Sequence, residues 1–211
     1  MSFDVANCLS DVWFRLGFSS QSDMTAAGSW VTSAELYQWA DDALKALART
    51  TSVFLTYDTS VAVRGGTASY ALPARHVFTE SAWLIYPTRV QLMRFSGSQE
   101  LFALDANWPV IQGPPKRLSL DAGSVSTMIF YPLPTTSATL AMVLEVYPPD
   151  VTAGSSTVAA SPIFQDYASL ACLAGALGKE SDYSRREVAA HARKRMDMYA
   201  AIARQLWGPP E

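Results

Sequence analysis

Apolar positions along the chain change period twice. Near the start, Val5, Leu9, Val12 and Leu16 recur at helical spacing and Gly17 follows as a stop, which predicts a helix over 4–17. A polar loop runs from Ser19 to Gly28. Thr32-Ser33-Ala34-Glu35 then has capping-box spacing, in which the Thr oxygen and the Glu carboxylate satisfy free amides of a first helical turn. Leu36, Ala40, Ala43, Leu44 and Leu47 share one face of that helix. Asp41, Asp42, Lys45 and Arg49 fall on the other, with Asp41 four residues ahead of Lys45 in the favourable order.

From Val53 the period becomes two. Val61 and Val63 alternate up to Gly65-Gly66, and Ala68, Tyr70 and Leu72 alternate after it, a hairpin signal ended by Pro73. Further strands are expected at 82–86, 89–94, 116–120, 126–131 and 138–147, with Leu140, Met142, Leu144 and Val146 on one face of the last. Between them, Ser98 to Asp105 reads as one or two helical turns with Leu101 and Leu104 inward.

The final quarter returns to helix. Asp150 to Ala160 is a small-residue linker, after which Ser161 is the expected N-cap and Pro162 the first helical residue. Ile163, Tyr167, Leu170, Ala171, Ala174 and Leu177 form one apolar face, and Gly178 is the expected stop. Ala168, Ala171 and Gly175 would admit another helix closely. Ser184-Arg185-Arg186-Glu187 repeats the capping-box spacing, and Val188, Ala192, Met196, Tyr199, Ala203 and Leu206 stripe a last helix that Gly208-Pro209 ends. Strands follow strands without intervening helices, so the class is α+β. The architecture expected is a four-helix bundle from the chain ends, 1–52 and 162–211, with an inserted antiparallel β-sheet or sandwich at 53–149 and a linker at 150–161.

Composition sharpens this picture in one respect. Charged residues are only 17% while hydrophobic ones reach 49%, so part of the outside is expected to be covered by other subunits. Net charge is -3, which gives no global basic signal for nucleic acid, but the distribution is uneven. Residues 1–58 sum to -4 (seven acids, three bases) and residues 179–206 to +3 (seven bases, four acids). Such ends can meet copies of the chain or a neighbour through complementary fields. No basic leader precedes an apolar run, and no apolar stretch approaches the ~18 residues of a membrane span.

A search for chemistry finds little. His76 and His191 stand on different elements and lack metal-ligand spacing with Cys8 or Cys172, which read as buried free thiols. There is no phosphate-binding glycine loop and no nucleophile elbow. Glu80, Asp105, Asp121 and Glu145 are the carboxylates from which a hydrolytic pair would have to come, and no motif joins any two of them. Arg193-Lys194-Arg195, with Arg185 and Arg186, offers contacts to phosphate, but three consecutive helical residues span about 200° and cannot share one groove. No enzyme, cofactor or metal is expected.

The order of elements, together with Tyr70-Ala71-Leu72-Pro73, Tyr131-Pro132-Leu133-Pro134, Tyr147-Pro148-Pro149 and a helix opening on Pro162, Phe164 and Tyr167, resembles the head-to-tail adaptors of tailed bacteriophages. These include the packaged-DNA stabilisation proteins of short-tailed phages. The resemblance covers roughly 4–207 and departs from the pattern at Ile163, where an acidic residue is often found. It implies a structural protein of the virion neck, assembled in the host cytoplasm into a ring, commonly of about twelve copies. Such a ring docks beneath the portal, extends the DNA channel, and carries tail or nozzle proteins. On that footing Arg193, Lys194, Arg204, Trp207, Pro209 and Pro210 are the portal-facing candidates. Val61, Val63, Tyr70, Leu72, Phe130 and Tyr131 are the candidates for contact between copies. The partners implied are the portal protein, tail proteins, the chain itself and passing double-stranded DNA, with no membrane. Two other readings stand beside it: another neck or tail structural protein, and a carbohydrate-binding β-sandwich stacking sugars on Trp83, Trp108 and Tyr131.

Overall fold

A computed structural model of the chain describes residues 2–20, 22–23, 30–86, 89–120, 127–153, 156–179 and 185–208. The class is α+β, with five α-helices among the described residues. Two compact units make it up: Met1–Phe54 together with Tyr147–Glu211, and Leu55–Val146.

In the first unit, α1 (Val5–Leu16) buries Val5, Cys8, Leu9 and Val12 and ends at Gly17, whose φ of 86° places it in the left-handed region that favours glycine. Strand β1 (Phe3–Asp4), just before it, pairs with β10 (Thr157–Val158). Helix α2 (Ser33–Thr50) carries the capping box: Thr32 Oγ1 accepts from Glu35 N–H at 3.3 Å, and Thr32 N–H donates to Glu35 Oε2 at 2.9 Å. Its buried residues include Leu36, Ala40, Ala43, Leu44 and Leu47. Residues 150–153 and 156–160 are pinned to the unit. Lys45 bridges Asp41 and Asp150 at 2.7 Å each, Val151 N–H donates to Asp41, and Val151, Val158 and Ala160 are buried.

Helix α4 (Ile163–Gly178) departs from its expected single face. Phe164, Ala168, Ser169, Cys172, Leu173 and Ala176 are buried along with Tyr167, Leu170, Ala171, Ala174 and Leu177, while Ile163 is exposed. The reason is its position: α1, α2 and α5 (Arg186–Trp207) all pack against α4, and a helix surrounded this way is apolar nearly all round. Ser169 Oγ donates to the Cys8 carbonyl and Cys172 Sγ to that of Leu36, which ties α4 to α1 and α2. Its start also shifts by one residue. Pro162 adopts helical angles at the N-cap with no side-chain cap, and Phe164 N–H bonds the Ser161 carbonyl instead. Gly178 is inside the helix, with Lys179 as C-cap.

In α5 the buried stripe is Ala189, Ala192 and Ala203; Val188 and Leu206 of the expected stripe are exposed. Ser184 of the anticipated capping box lies outside the described residues. No described helix is long and apolar enough to cross a membrane.

The second unit holds two four-stranded sheets. The strands are β2 (Leu55–Val63), β3 (Ser69–Ala71), β4 (His76–Tyr86), β5 (Arg89–Leu92), β6 (Arg94–Phe95), β7 (Arg117–Ser119), β8 (Thr127–Tyr131) and β9 (Ala138–Val146), ordered β2-β9-β4-β5 and β3-β8-β7-β6. Among the described residues all pairings of these strands are antiparallel except β6 with β7. The hairpin expected at Gly65-Gly66 does not form. Here β2 pairs with β9 and β3 with β8, so the glycine turn carries the chain from one sheet to the other. Both sheets share one core, in which Val63, Leu84, Leu140, Met142 and Leu144 meet Leu118, Met128 and Phe130. Full burial of each such side chain stabilises by roughly 1.5–3 kcal/mol. Helix α3 (Ser98–Leu104) buries Leu101 as expected but leaves Leu104 exposed.

Candidate binding surfaces

Directly paired residues of a sheet leave it on the same face. The β2-β9-β4-β5 register therefore sorts its side chains without ambiguity. One face carries Leu140, Met142, Leu84 and Ala82 into the core. The other carries four rows: Leu55–Glu145–Phe78, Tyr57–Val143–Ser81, Ala141–Trp83–Leu92 and Thr139–Ile85–Val90. The only charge in these rows is Glu145, and it is buried. The apolar members are not all covered: Leu55 is 41% exposed, Tyr57 57%, Val90 64% and Leu92 74%. Tyr57 and Trp83 lie ring to ring at 5.8 Å, which fixes two aromatic side chains side by side on this face. The arrangement suits burial against a second apolar surface, since contiguous exposed apolar area is the usual mark of an interaction site.

The residues expected to make contacts between copies fare differently. Val63 and Phe130 are buried in the unit's own core and present no surface. Val61, Tyr70 and Leu72 pack partly buried against that core, and Tyr131 meets Trp108 at 6.5 Å. Val61 and Val63 lie on the core side of their own sheet, Tyr70 and Phe130 reach the same core from the other sheet, and Tyr131 packs on the far side of β8 against Trp108. Tyr70 has a structural task as well: its hydroxyl donates to the Arg64 carbonyl and accepts from Arg64 N–H. The open residues Tyr57, Val90 and Leu92 went unremarked in the sequence. Only β4 carries apolar side chains at both parities, the pattern of a strand covered on two sides; in β2 the register shift between Asp58 and Val61 turns Leu55 and Tyr57 to the face opposite Val61 and Val63.

A second surface lies on α5. Arg193, Lys194 and Arg204 are exposed, and Met198, Ile202 and Leu206 form an exposed apolar line at four-residue steps beside them. Trp207 is 37% exposed; its ring packs edge-on against Phe164 at 5.6 Å and its carbonyl accepts from Ser52 N–H. It closes the helix end and keeps an open side. Pro209 and Pro210 lie outside the described residues.

The carboxylates singled out in the sequence lie in different settings among the described residues. Glu80 is exposed at a bulge of β4, Glu145 is buried on β9, Asp105 bonds Asn107 N–H, and Asp121 lies outside the described residues. Burial pushes the Cys8 and Cys172 thiols up to about 12, and burial lowers His76, whose Nε2 lies 2.8 Å from Thr79 Oγ1. Thiols held that far from ionisation are inert. Among the described residues no group of three His, Cys, Asp or Glu side chains is placed to hold a metal. Trp108 is buried between Phe102 and Tyr131, so the sugar platform expected from Trp83, Trp108 and Tyr131 is not formed.

Compared with known proteins, residues 13–209 match the family model described as SU10 adaptor protein. No curated protein matches the chain.

Proposed function

Because the chain belongs to the SU10 adaptor protein family, and is thereby a structural phage adaptor, we propose that it forms a closed ring in the neck of the virion, between the portal of the DNA-filled capsid and the tail. The observation that carries this reading is the outer face of the β2-β9-β4-β5 sheet, where Tyr57, Val90 and Leu92 hold apolar area open to a partner. In a ring each copy gives one surface to the next and a different one to the last, so a sheet face with no exposed charge in its rows need only find its complement elsewhere on the same chain. Each contact is modest, and closure multiplies it.

Arg193, Lys194, Arg204 and Trp207 on α5, with Pro209 and Pro210 beyond, face the portal in this proposal. The ring, commonly of about twelve copies in the proteins it resembles, extends the DNA channel and offers tail proteins a platform. The cations of α5 screen passing DNA without reading its sequence, as phosphate contacts do. The work is done by binding, and the reading calls for no catalytic group, cofactor or metal.

The test is a Val90→Asp/Leu92→Asp phage imaged at the neck by cryo-electron microscopy. Ring density should be lost, while the purified variant keeps the parental circular dichroism and melting temperature, because both side chains are open. Complete rings in the variant would remove the sheet face from the interface. Purified particles without this polypeptide would overturn the neck assignment itself.

A further inference from the structure

The parallel pairing of β6 with β7 places two arginines directly opposite each other. Arg94 on β6 and Arg117 on β7 are register partners, so both side chains leave the same face of the sheet. Lys116 precedes Arg117, and Arg94 N–H donates to the Lys116 carbonyl at 3.0 Å. Beside these residues lies a cleft of about 330 Å³ lined by Leu92, Arg94, Lys116 and Arg117. Three cations thus border one small space.

Among the described residues they are neutralised only in part. Arg117 is bonded through Nη1 to Ser96 Oγ at 2.9 Å and paired with Glu100, which fixes its guanidinium with only 19% of the side chain exposed. Arg94 and Lys116 are exposed and make no ion pair among the described residues. One carboxylate against three cations leaves an excess of positive charge. Like charges directly opposite on paired strands destabilise a sheet. Shielding a short edge strand from unwanted pairing calls for a charge on that strand. It does not call for Arg117 on the strand inside it, nor for Lys116 just ahead of that strand.

We infer that this cleft is a phosphate-oxyanion site, taking either a DNA backbone phosphate or free inorganic phosphate. Arg117 is already oriented, Arg94 brings a second planar fork for two oxygens, and Lys116 adds a mobile point charge. Leu92 bounds the cleft on its apolar side. The inference does not depend on the ring proposed above, because it concerns the single chain.

The full-length protein would be examined by melting with inorganic phosphate against chloride at equal ionic strength, and by fluorescence anisotropy with a short mixed-sequence DNA duplex over a salt series. The same measurements on Arg94→Ala/Lys116→Ala remove the two exposed cations, and Arg193→Ala/Lys194→Ala serves as a control for the other basic surface. The expected result is that phosphate raises the parental melting temperature or the duplex binds. The first double variant then loses at least about ten-fold in affinity, and its duplex salt slope falls by about 0.9 per contact removed. Arg94→Lys/Lys116→Arg should restore binding. A phosphate response without duplex binding identifies free phosphate as the source, and duplex binding without a phosphate response identifies the DNA backbone. Binding unchanged in Arg94→Ala/Lys116→Ala, or no response to either probe, overturns the site. So does tighter binding of a poly-glutamate peptide through the same residues.

Discussion

A β-carbon on Gly175 would lie 2.6 Å from Cε2 and 2.7 Å from Cε3 of Trp39, so helices α2 and α4 meet at a point where only hydrogen fits. The small-residue run Ala168, Ala171 and Gly175 anticipated such a close approach, and Trp39 is what fills it. Gly175→Ala should therefore destabilise the protein by about 1–3 kcal/mol through overpacking, despite alanine's better helix propensity. Urea denaturation measures this, and Trp39→Leu in the same chain should return part of the loss. An alanine variant as stable as the parent would mean the two helices are not in contact there.

Glu35 joins two structural devices, and its titration reports on both. The Lys179 hydrogen bond at 2.6 Å, followed by the bonds to Thr32, holds its carboxyl below the ordinary carboxylate range against the opposing effect of burial. The unfolded chain then binds this proton at higher pH than the folded protein does, so stability rises with pH across that interval. The contribution is complete above the ordinary carboxylate range and is lost as pH falls through the depressed folded value. Lys179→Met should lower the urea midpoint most at neutral pH, with a difference from the parent that shrinks in acid. Equal losses at both pH values would show that Lys179 acts by packing alone. Thr32→Ala should cost about 1 kcal/mol at neutral pH, the usual worth of an N-cap.

Cys8 and Cys172, both pushed up to about 12 by burial, should resist alkylation in the folded protein. Iodoacetamide reacts with the thiolate, which hardly exists at such a site at mildly alkaline pH. Intact-mass spectrometry should find the folded chain unlabelled under conditions where the urea-unfolded chain takes a label on each cysteine. Fast labelling of the native state would place at least one thiol at the surface.

What could be read from the chain beforehand follows how local each signal is. The α2 capping box, the Asp41–Lys45 pair and the Gly17 stop each lie within a few residues, and each forms as anticipated. Strand existence was legible too, from period-two runs. Pairing was not: β2 joins β9 and β4 lies on the far side of β9, choices made by long-range core contacts rather than by the turn at Gly65-Gly66. The enclosure of α4 depends likewise on three helices drawn from both ends of the chain. Of the residues chosen for contact, Arg193, Lys194 and Arg204 are exposed. Val63 and Phe130 are buried in the unit's own core, since alternation tells that a strand has two faces and not which one is covered. The Arg94–Arg117 pair is invisible in the sequence, where the two arginines are far apart and are brought together only by a parallel register.

Gly65 and Gly66, side by side at the sheet-to-sheet crossing, are required for different reasons, and their variants should differ accordingly. Gly66 has φ of 79° with open space around it, and its N–H donates to the Pro134 carbonyl at 2.7 Å. An alanine there meets no neighbour but must hold a left-handed conformation, which costs about 1–2 kcal/mol; asparagine should cost less. Gly65 has no such angle, yet a β-carbon would come within 2.7 Å of the Thr135 carbonyl oxygen and 3.0 Å of its carbon. Backbone atoms cannot swing aside as a flexible side chain does, so the 134–136 segment would have to shift, and its Pro134 bond to Gly66 would stretch with it. Gly65→Ala should thus destabilise more than Gly66→Ala, and Gly65→Asn should be no milder than Gly65→Ala. Chemical denaturation of the four variants ranks them. Should Gly66→Ala turn out the worse of the two, the crossing would not run against residues 134–136, and the separation of β2 from β3 into two sheets would have to be redrawn.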